Sequence, residues 1–204
     1  MKTTILALSC ALLASGGLAA GSSPAFADDA SPKGVSLKKL EAGTVFVFKR
    51  QNASDETITI RAMDGLTIQY DSETSRRKQQ REAVGFAVFL DTTKQTMTES
   101  DRSLVAQLFP LKVGNKVVFF HSETGQSGSQ RPVTDKAEVV SAETLTVAAG
   151  TFETFVIKTE MQNGDWWGKR TCWYAPEVGY CAKIKWQSVR GDDFENELAS
   201  IAKP

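Results

Sequence analysis

Cys172 and Cys181 stand nine positions apart in this 204-residue chain, with the turn-like Pro176-Glu177-Val178-Gly179 between them. That spacing suits a disulfide across a hairpin. Neither cysteine sits in a C-x-x-C spacing, so a redox-active thiol is not expected. Two cysteines alone cannot build a tetrahedral zinc site, and His121 is the sole imidazole. Ser122 and Glu123 follow His121 directly, but adjacent strand residues point to opposite faces, which makes a poor triad. Gly125-Gln126-Ser127-Gly128-Ser129 departs from the G-x-S-x-G elbow at its last residue. There is no H-E-x-x-H and no phosphate-binding G-x-x-x-x-G-K-[ST]. The sequence therefore predicts no catalytic residue, no metal ligand and no cofactor. Trp166, Trp167, Trp173, Tyr174, Tyr180 and Trp186 crowd into 21 positions that hold every tryptophan of the chain. Such a cluster builds a β-domain core or contacts a ligand or partner. Trp166, Trp167 and Tyr174 are the candidate contacts, and adjacency puts Trp166 and Trp167 on opposite faces.

The elements that must carry these side chains are mostly strands. Ile58, Ile60 and Ala62 alternate with Thr57, Thr59 and Arg61, and Leu66, Ile68 and Tyr70 alternate with Thr67, Gln69 and Asp71. Period-2 alternation means strands with one wet face. Asp64-Gly65 between them is a hairpin signal. Val84, Phe86, Val88 and Leu90 form a further apolar face, backed by the small residues Ala83, Gly85 and Ala87. One helix interrupts the strands at about residues 98–109. Thr98-x-x-Asp101 resembles a capping box, Leu104, Val105 and Leu108 follow at helical spacing, and Pro110 ends it. About ten short strands and one helix predict a mainly β fold. Its form is a meandering antiparallel sheet, strongly curved or an incomplete barrel, with the helix against the concave side. A two-sheet sandwich is the alternative.

Three stretches carry a resemblance. They are Pro110-Leu111-Lys112-Val113-Gly114, Thr146-Val147-Ala148-Ala149-Gly150-Thr151-Phe152, and Trp173-Tyr174-Ala175-Pro176-Glu177-Val178-Gly179. In this order they resemble exported bacterial β-rich domains of unknown function with P-L-x-V-G, T-V-P-A-G-T-F and W-Y-x-P-E-V-G motifs. The resemblance covers about residues 109–201. Ala148 stands where proline is common in that group, which loosens the turn. The resemblance implies a fold and no established chemistry.

The first residues read as an export signal: Lys2, an apolar region over residues 5–20, and an Ala25-Phe26-Ala27 cleavage motif. A lipid anchor at Cys10 is the competing reading, but it leaves too short an apolar region. Cleavage after Ala27 leaves a flexible leader over residues 28–40 and a single β-rich domain over residues 41–204. Removing Lys2 shifts the formal net charge from 0 to −1. A near-neutral domain has no global field to draw in nucleic acid. No later stretch is long and apolar enough to be a transmembrane helix. Arg76, Arg77, Lys78 and Arg81 form a local basic run, read as a solvated hairpin tip.

The hairpin cysteines are expected to lie directly opposite each other. That register gathers Trp173, Tyr180, Ala182, Ile184 and Trp186 on one face. It puts Cys172 and Cys181 on the other, with Arg170, Lys183 and Lys185, so the bridge becomes a staple on the polar side. Together these readings predict an exported, non-catalytic module, periplasmic or extracellular, that binds an apolar ligand or a protein partner. A structural or stress-protective secreted protein is one alternative. A carboxylate-based hydrolase is the other, since such a pair cannot be recognised by spacing.

Overall fold

The computed structural model describes residues 34–51, 53–125 and 127–204. The export signal, Cys10 and the cleavage motif lie outside these residues.

The alternating segments pair into twelve strands among the described residues. The first six are β1 (Val45–Arg50), β2 (Glu56–Asp64), β3 (Thr67–Thr74), β4 (Arg77–Val84), β5 (Val88–Asp91) and β6 (Gln95–Thr96). The others are β7 (Lys116–Thr124), β8 (Gln130–Val147), β9 (Gly150–Asn163), β10 (Trp166–Ala175), β11 (Tyr180–Ser188) and β12 (Phe194–Ala202). They form a single sheet in the order β5-β4-β3-β2-β1-β12-β11-β10-β9-β8-β7-β6, with every pair antiparallel. The edge strands β5 and β6 are neighbours in sequence. Residues 92–94 therefore carry the chain across the seam where no ladder forms. The result is a nearly closed barrel of mainly β structure. One continuous sheet excludes the sandwich alternative.

Cross-strand partners share a face, so the register identifies the interior. Phe46 pairs with Ile58, Ile60 with Tyr70, Ile68 with Ala83, and Ala83 with Phe89. On the far side Cys172 pairs with Ile157, and Ile157 with Val139. All are buried.

The helix forms where the sequence predicts it, but in a different place in the fold. In α1 (Glu99–Val105), Thr98 Oγ1 accepts the Asp101 N–H at 3.1 Å, and a 3-10 turn over Ala106–Leu108 follows. Arg102 pairs with Glu82 at 2.8 Å and donates to Thr67 Oγ1 at 3.0 Å. Thr67 and Glu82 point away from the interior residues Ile68 and Ala83. Val84, Val88 and Leu90 share that outward face, yet each is at most 1% exposed. The helix thus covers the outer face of the β4–β5 edge and not the concave side. Across the seam, Asp101 Oδ1 accepts the Phe120 N–H of β7 at 3.0 Å, beyond the point where β6 ends. A barrel whose sixth strand has two residues needs this cover.

A turn of the chain fills the concave side instead. Residues 84–90, expected as one strand, break at Gly85-Phe86-Ala87. Gly85 has φ +55°, and a Cβ there would stand 2.7 Å from Val105 Cγ1. Phe86, with φ 54°, turns its ring inward to 5.0 Å from Tyr174 and 5.2 Å from Tyr180. Thr159 Oγ1 of β9 donates to the Ala87 carbonyl at 2.6 Å, tying the turn across the interior.

Residues 34–40, the described part of the segment read as a flexible leader, are held in place. Val35 and Leu111 exchange two backbone hydrogen bonds, at 3.1 and 2.8 Å. The Lys38 N–H donates to Tyr174 Oη at 3.2 Å, and Leu40 is buried. Residues 34–40 are thereby tied to the barrel.

The hairpin carries a Cys172–Cys181 disulfide with Cα atoms 5.6 Å apart, in another register than direct opposition. Cys172 pairs with Ile184 and Cys181 with Tyr174, while Ala182 is bulged out between them. An extra residue flips the alternation. Ile184 and Trp186 therefore share the interior face with Cys172 and Arg170. Lys183 and Trp173 pair on the outside, where Trp173 Nε1 donates to Glu143 Oε1 at 2.7 Å. The bridge is a core element, both cysteines being 0% exposed, and not a polar-side staple.

Candidate binding cavity

The barrel interior changes character along its length. At one end Phe46, Phe48, Phe86, Tyr174 and Tyr180 pack together, with Phe46 and Tyr180 stacked at 4.8 Å. At the other end lies a cavity of about 390 Å³. It forms where β4, β10 and β12 begin and β5, β7 and β11 end. The seam residues Asp91, Lys94 and Gln95 border it.

Arg170 stands in its wall. It is two positions before Cys172 on the interior face, and its guanidinium lies 4.7 Å from the Phe89 ring centre and 5.1 Å from that of Trp186. Both contacts are within cation–π range. Gly168 makes the arrangement possible. A Cβ there would fall 2.5 Å from the Trp186 ring and 3.1 Å from that of Trp166. Without one, the two rings lean together over the backbone at 6.4 Å. Arg170 is half-buried by area because the cavity opens beside it, but its Nη1 is sealed and has no partner. Burial lowers its pKa to about 10. Burial also raises that of the nearby Tyr70 to about 12.

The polar groups of the wall are unequally served. The carboxylates have neutral donors. Asp91 Oδ1 accepts from Thr93 N and Oγ1 at 3.1 and 2.6 Å. Glu123 Oε1 accepts from Gln95 Nε2 at 2.8 Å. Asp192 Oδ1 accepts from Trp186 Nε1 at 3.2 Å and from Ser188 Oγ. Burial pushes Asp91 and Asp192 up, yet these hydrogen bonds, helped by the charges of Arg81 and Lys94 near Asp91 and of Arg190 near Asp192, outweigh it and hold both below the usual carboxylate value. His121 and Asp135, both buried, share a hydrogen bond of 2.5 Å between Nδ1 and Oδ2. Burial raises the Asp135 carboxyl against the pull of that bond.

The cations have no such partners. Arg77, Arg81, Lys94, Arg170 and Arg190 line the cavity, and none forms a salt bridge within 4.0 Å among the described residues. The sealed side-chain polar atoms without a hydrogen bond are Arg81 Nε, Trp166 Nε1, Arg170 Nη1, Asp135 Oδ1 and Tyr180 Oη. The first three are donors on residues that line the cavity, each packed against protein and out of reach of its space.

The candidate contacts are not brought together. Trp166 lines the cavity. Trp167 lies on the outer face at 36% exposure, beside Lys169. Tyr174 is fully buried at the opposite end. Sequence reasoning missed Arg81 and Arg170. Arg81 is inside the barrel, not at a solvated tip, since it pairs with Tyr70 and Asp91. The available signal was parity: Arg81 is two residues from Ala83, and Arg170 two from Cys172.

No described protein family and no curated protein matches the sequence. Solved structures do resemble it. The lipoprotein YmcC of Escherichia coli, described as hypothetical, aligns with a TM-score of 0.50 at 11% identity, over 82% of this chain and 91% of that one. A Bacteroides fragilis protein described as exported and of YmcC-like fold gives 0.48 at 12% identity, over 83% and 100%. A protein of Parabacteroides distasonis described as a lipoprotein gives 0.47 at 12% identity, over 83% and 100%. At such identities the likeness to YmcC is one of fold.

Proposed function

We propose that this chain is an exported, non-catalytic module that binds a small polar molecule in the open end of its barrel. The observation that carries this reading is the unpaired cationic lining of the cavity. Arg77, Arg81, Lys94, Arg170 and Arg190 face one space, and none forms a salt bridge within 4.0 Å among the described residues. A bound polar molecule would give them partners. The charged lining favours a polar ligand over the apolar one that the aromatic cluster suggested. The export motif and the interior disulfide support a location outside the cytoplasm. Among the described residues no helix is long and apolar enough to cross a membrane.

The non-catalytic part rests on the same wall. Among the described residues no hydroxyl or thiol is hydrogen-bonded to His121, as an activated nucleophile would be. The lining carboxylates Asp91 and Asp192 are held ionised, whereas a glycosidase acid needs a raised pKa.

Native mass spectrometry on protein purified from its own host tests the reading. A small molecule retained by the folded protein, and lost on denaturation or in a Trp166→Leu variant, is expected. A protein without any such adduct, and without affinity for charged or neutral envelope metabolites, would overturn it. Sequencing of the mature N-terminus is expected to begin at Asp28.

A further inference from the structure

We propose that the cavity holds the oxyanion group of a small acidic ligand, a carboxylate, sulfate or phosphate, between the guanidinium groups of Arg170 and Arg81. This deepens the binding reading above and rests on it.

Charge, geometry and satisfaction point the same way. Five cationic side chains and three carboxylates line the cavity. The carboxylates are occupied by Thr93, Gln95, Trp186 and Ser188, and the cations are not paired. Arg81 lies within electrostatic reach of Arg170 and disfavours its charge, while Tyr70 and Asp135 favour it. Two like charges facing one cavity are costly unless something negative comes between them. Asp135 forms its salt bridge to His121, and none within 4.0 Å to either arginine. Arg170 is also held in place. Its guanidinium lies over the rings of Phe89 and Trp186, a contact that guanidinium groups favour. Arg81 is steadied by Gln79 Oε1, which accepts from its Nη2 at 2.9 Å. Fixed N–H donors on one small volume are what an oxyanion needs, since it brings several lone pairs and no donor of its own. A cavity of about 390 Å³ is larger than one inorganic anion and leaves room for an organic remainder beside Trp166 and Trp186.

Tryptophan fluorescence provides the test, because Trp166 and Trp186 stand in the wall. Benzoate, inorganic sulfate and inorganic phosphate are titrated separately into protein that has been stripped of any retained molecule by unfolding and refolding and shown by native mass spectrometry to be ligand-free. The salt is about 0.15 M sodium chloride, which screens loose surface binding. At least one probe is expected to give a saturable change. Its affinity should fall tenfold or more in Arg170→Gln and in Arg81→Gln, and should stay within twofold in Lys169→Gln. Lys169 is an outer-face cation already paired with Glu160 at 3.1 Å. The probe that saturates tells a carboxylate site from a sulfate or phosphate site. Arg170→Lys keeps the charge without the fork and is expected to bind less tightly than the wild type. If circular dichroism shows Arg170→Gln unfolded, Arg81→Gln decides alone. The proposal fails if no probe saturates, or if Lys169→Gln weakens binding as much as the interior variants do. A neutral co-purifying molecule, displaced in Trp166→Leu while all three anions fail, would sink the oxyanion site and leave the binding module standing.

Discussion

The two ends of the barrel use the same strands to opposite effect. At the closed end aromatic and aliphatic side chains pack around the Cys172–Cys181 bridge, and the Gly85-Phe86-Ala87 turn is folded in to complete the packing. At the open end the inward positions on β4, β7, β8 and β10 are Arg81, His121, Asp135 and Arg170. Among the described residues the one sealed unpaired side-chain atom of the closed end is Tyr180 Oη. The open end keeps a cavity lined by five cations that form no salt bridge among the described residues. One end therefore supplies stability, while the other gives up stability for a shaped polar space. Proteins do the latter where they bind something.

Alkali should produce the largest effect, and it acts through the buried tyrosines, of which Tyr174 and Tyr180 stand at the closed end and Tyr70 pairs with Arg81. The chain has three tyrosines. Burial holds Tyr70, Tyr174 and Tyr180 above their ordinary pKa of 10.0. A raised phenol contributes stability that is whole below pH 10 and is lost as pH climbs through the folded value, about 12 for Tyr70. Arg170 has the opposite sign, because its charge is disfavoured in the fold. Three phenols outnumber one guanidinium. Tyrosinate absorbance should stay flat through pH 10 and then appear in one cooperative step with unfolding. Reversible titration of one third of the signal near pH 10 would mean that one of these tyrosines is open to water.

Phe86→Ala comes next. Removing a fully buried ring costs about 3–5 kcal/mol, and denaturant unfolding would measure it. A loss below about 1 kcal/mol would show that the turn does not complete the core. The interior disulfide ranks third. It closes a loop of eight intervening residues, so Cys172→Ser with Cys181→Ser should lower stability by less than about 3 kcal/mol. Because β10 carries Arg170 and Trp166, the same double variant should also weaken ligand binding. A staple that mattered to only one end would change only one of these readouts.

How much of this could be read from the sequence divides along the same line. The closed end was legible because its inward residues are apolar, and period-2 alternation finds them, as with Ile58, Ile60, Ile68 and Tyr70. The capped helix was legible from Thr98 and Asp101. The open end was hidden because its inward residues are charged and so look like a wet face. Strand β4 was missed for this reason, and Arg81 was placed at a tip. The hairpin register was missed because a bulge at Ala182 leaves no mark in composition, yet it exchanges the faces of every residue after it. The helix position could not be read either. Gly85 does accommodate a helix, but whether that helix lies inside or outside depends on which way Phe86 turns.

Arg170→Met separates the two ends most directly. At the closed end any truncation should destabilise. Here, replacing a half-buried, unpaired charge by an apolar chain of similar length should leave unfolding stability unchanged or raise it by about 1 kcal/mol. Anion affinity should meanwhile fall at least tenfold. A clear loss of stability would mean that the stacking on Phe89 and Trp186 makes Arg170 part of the core.

The smallest effect is expected on the outer face. Trp167 is the neighbour of Trp166 in sequence, but it points away from the cavity and has only Lys169 over its ring, at 6.0 Å. Single exposed aromatics are ordinary on protein surfaces. Trp167→Ala should lower stability by about 1 kcal/mol or less and leave anion titration by the remaining tryptophans unchanged. Trp166→Leu, one residue away, should abolish or weaken that titration. Adjacent residues with opposite outcomes would follow from strand parity alone. If instead Trp167→Ala weakened binding as much as Trp166→Leu, the ligand would reach over the barrel rim to the outer face. The contrast between the two ends would then have to include the rim.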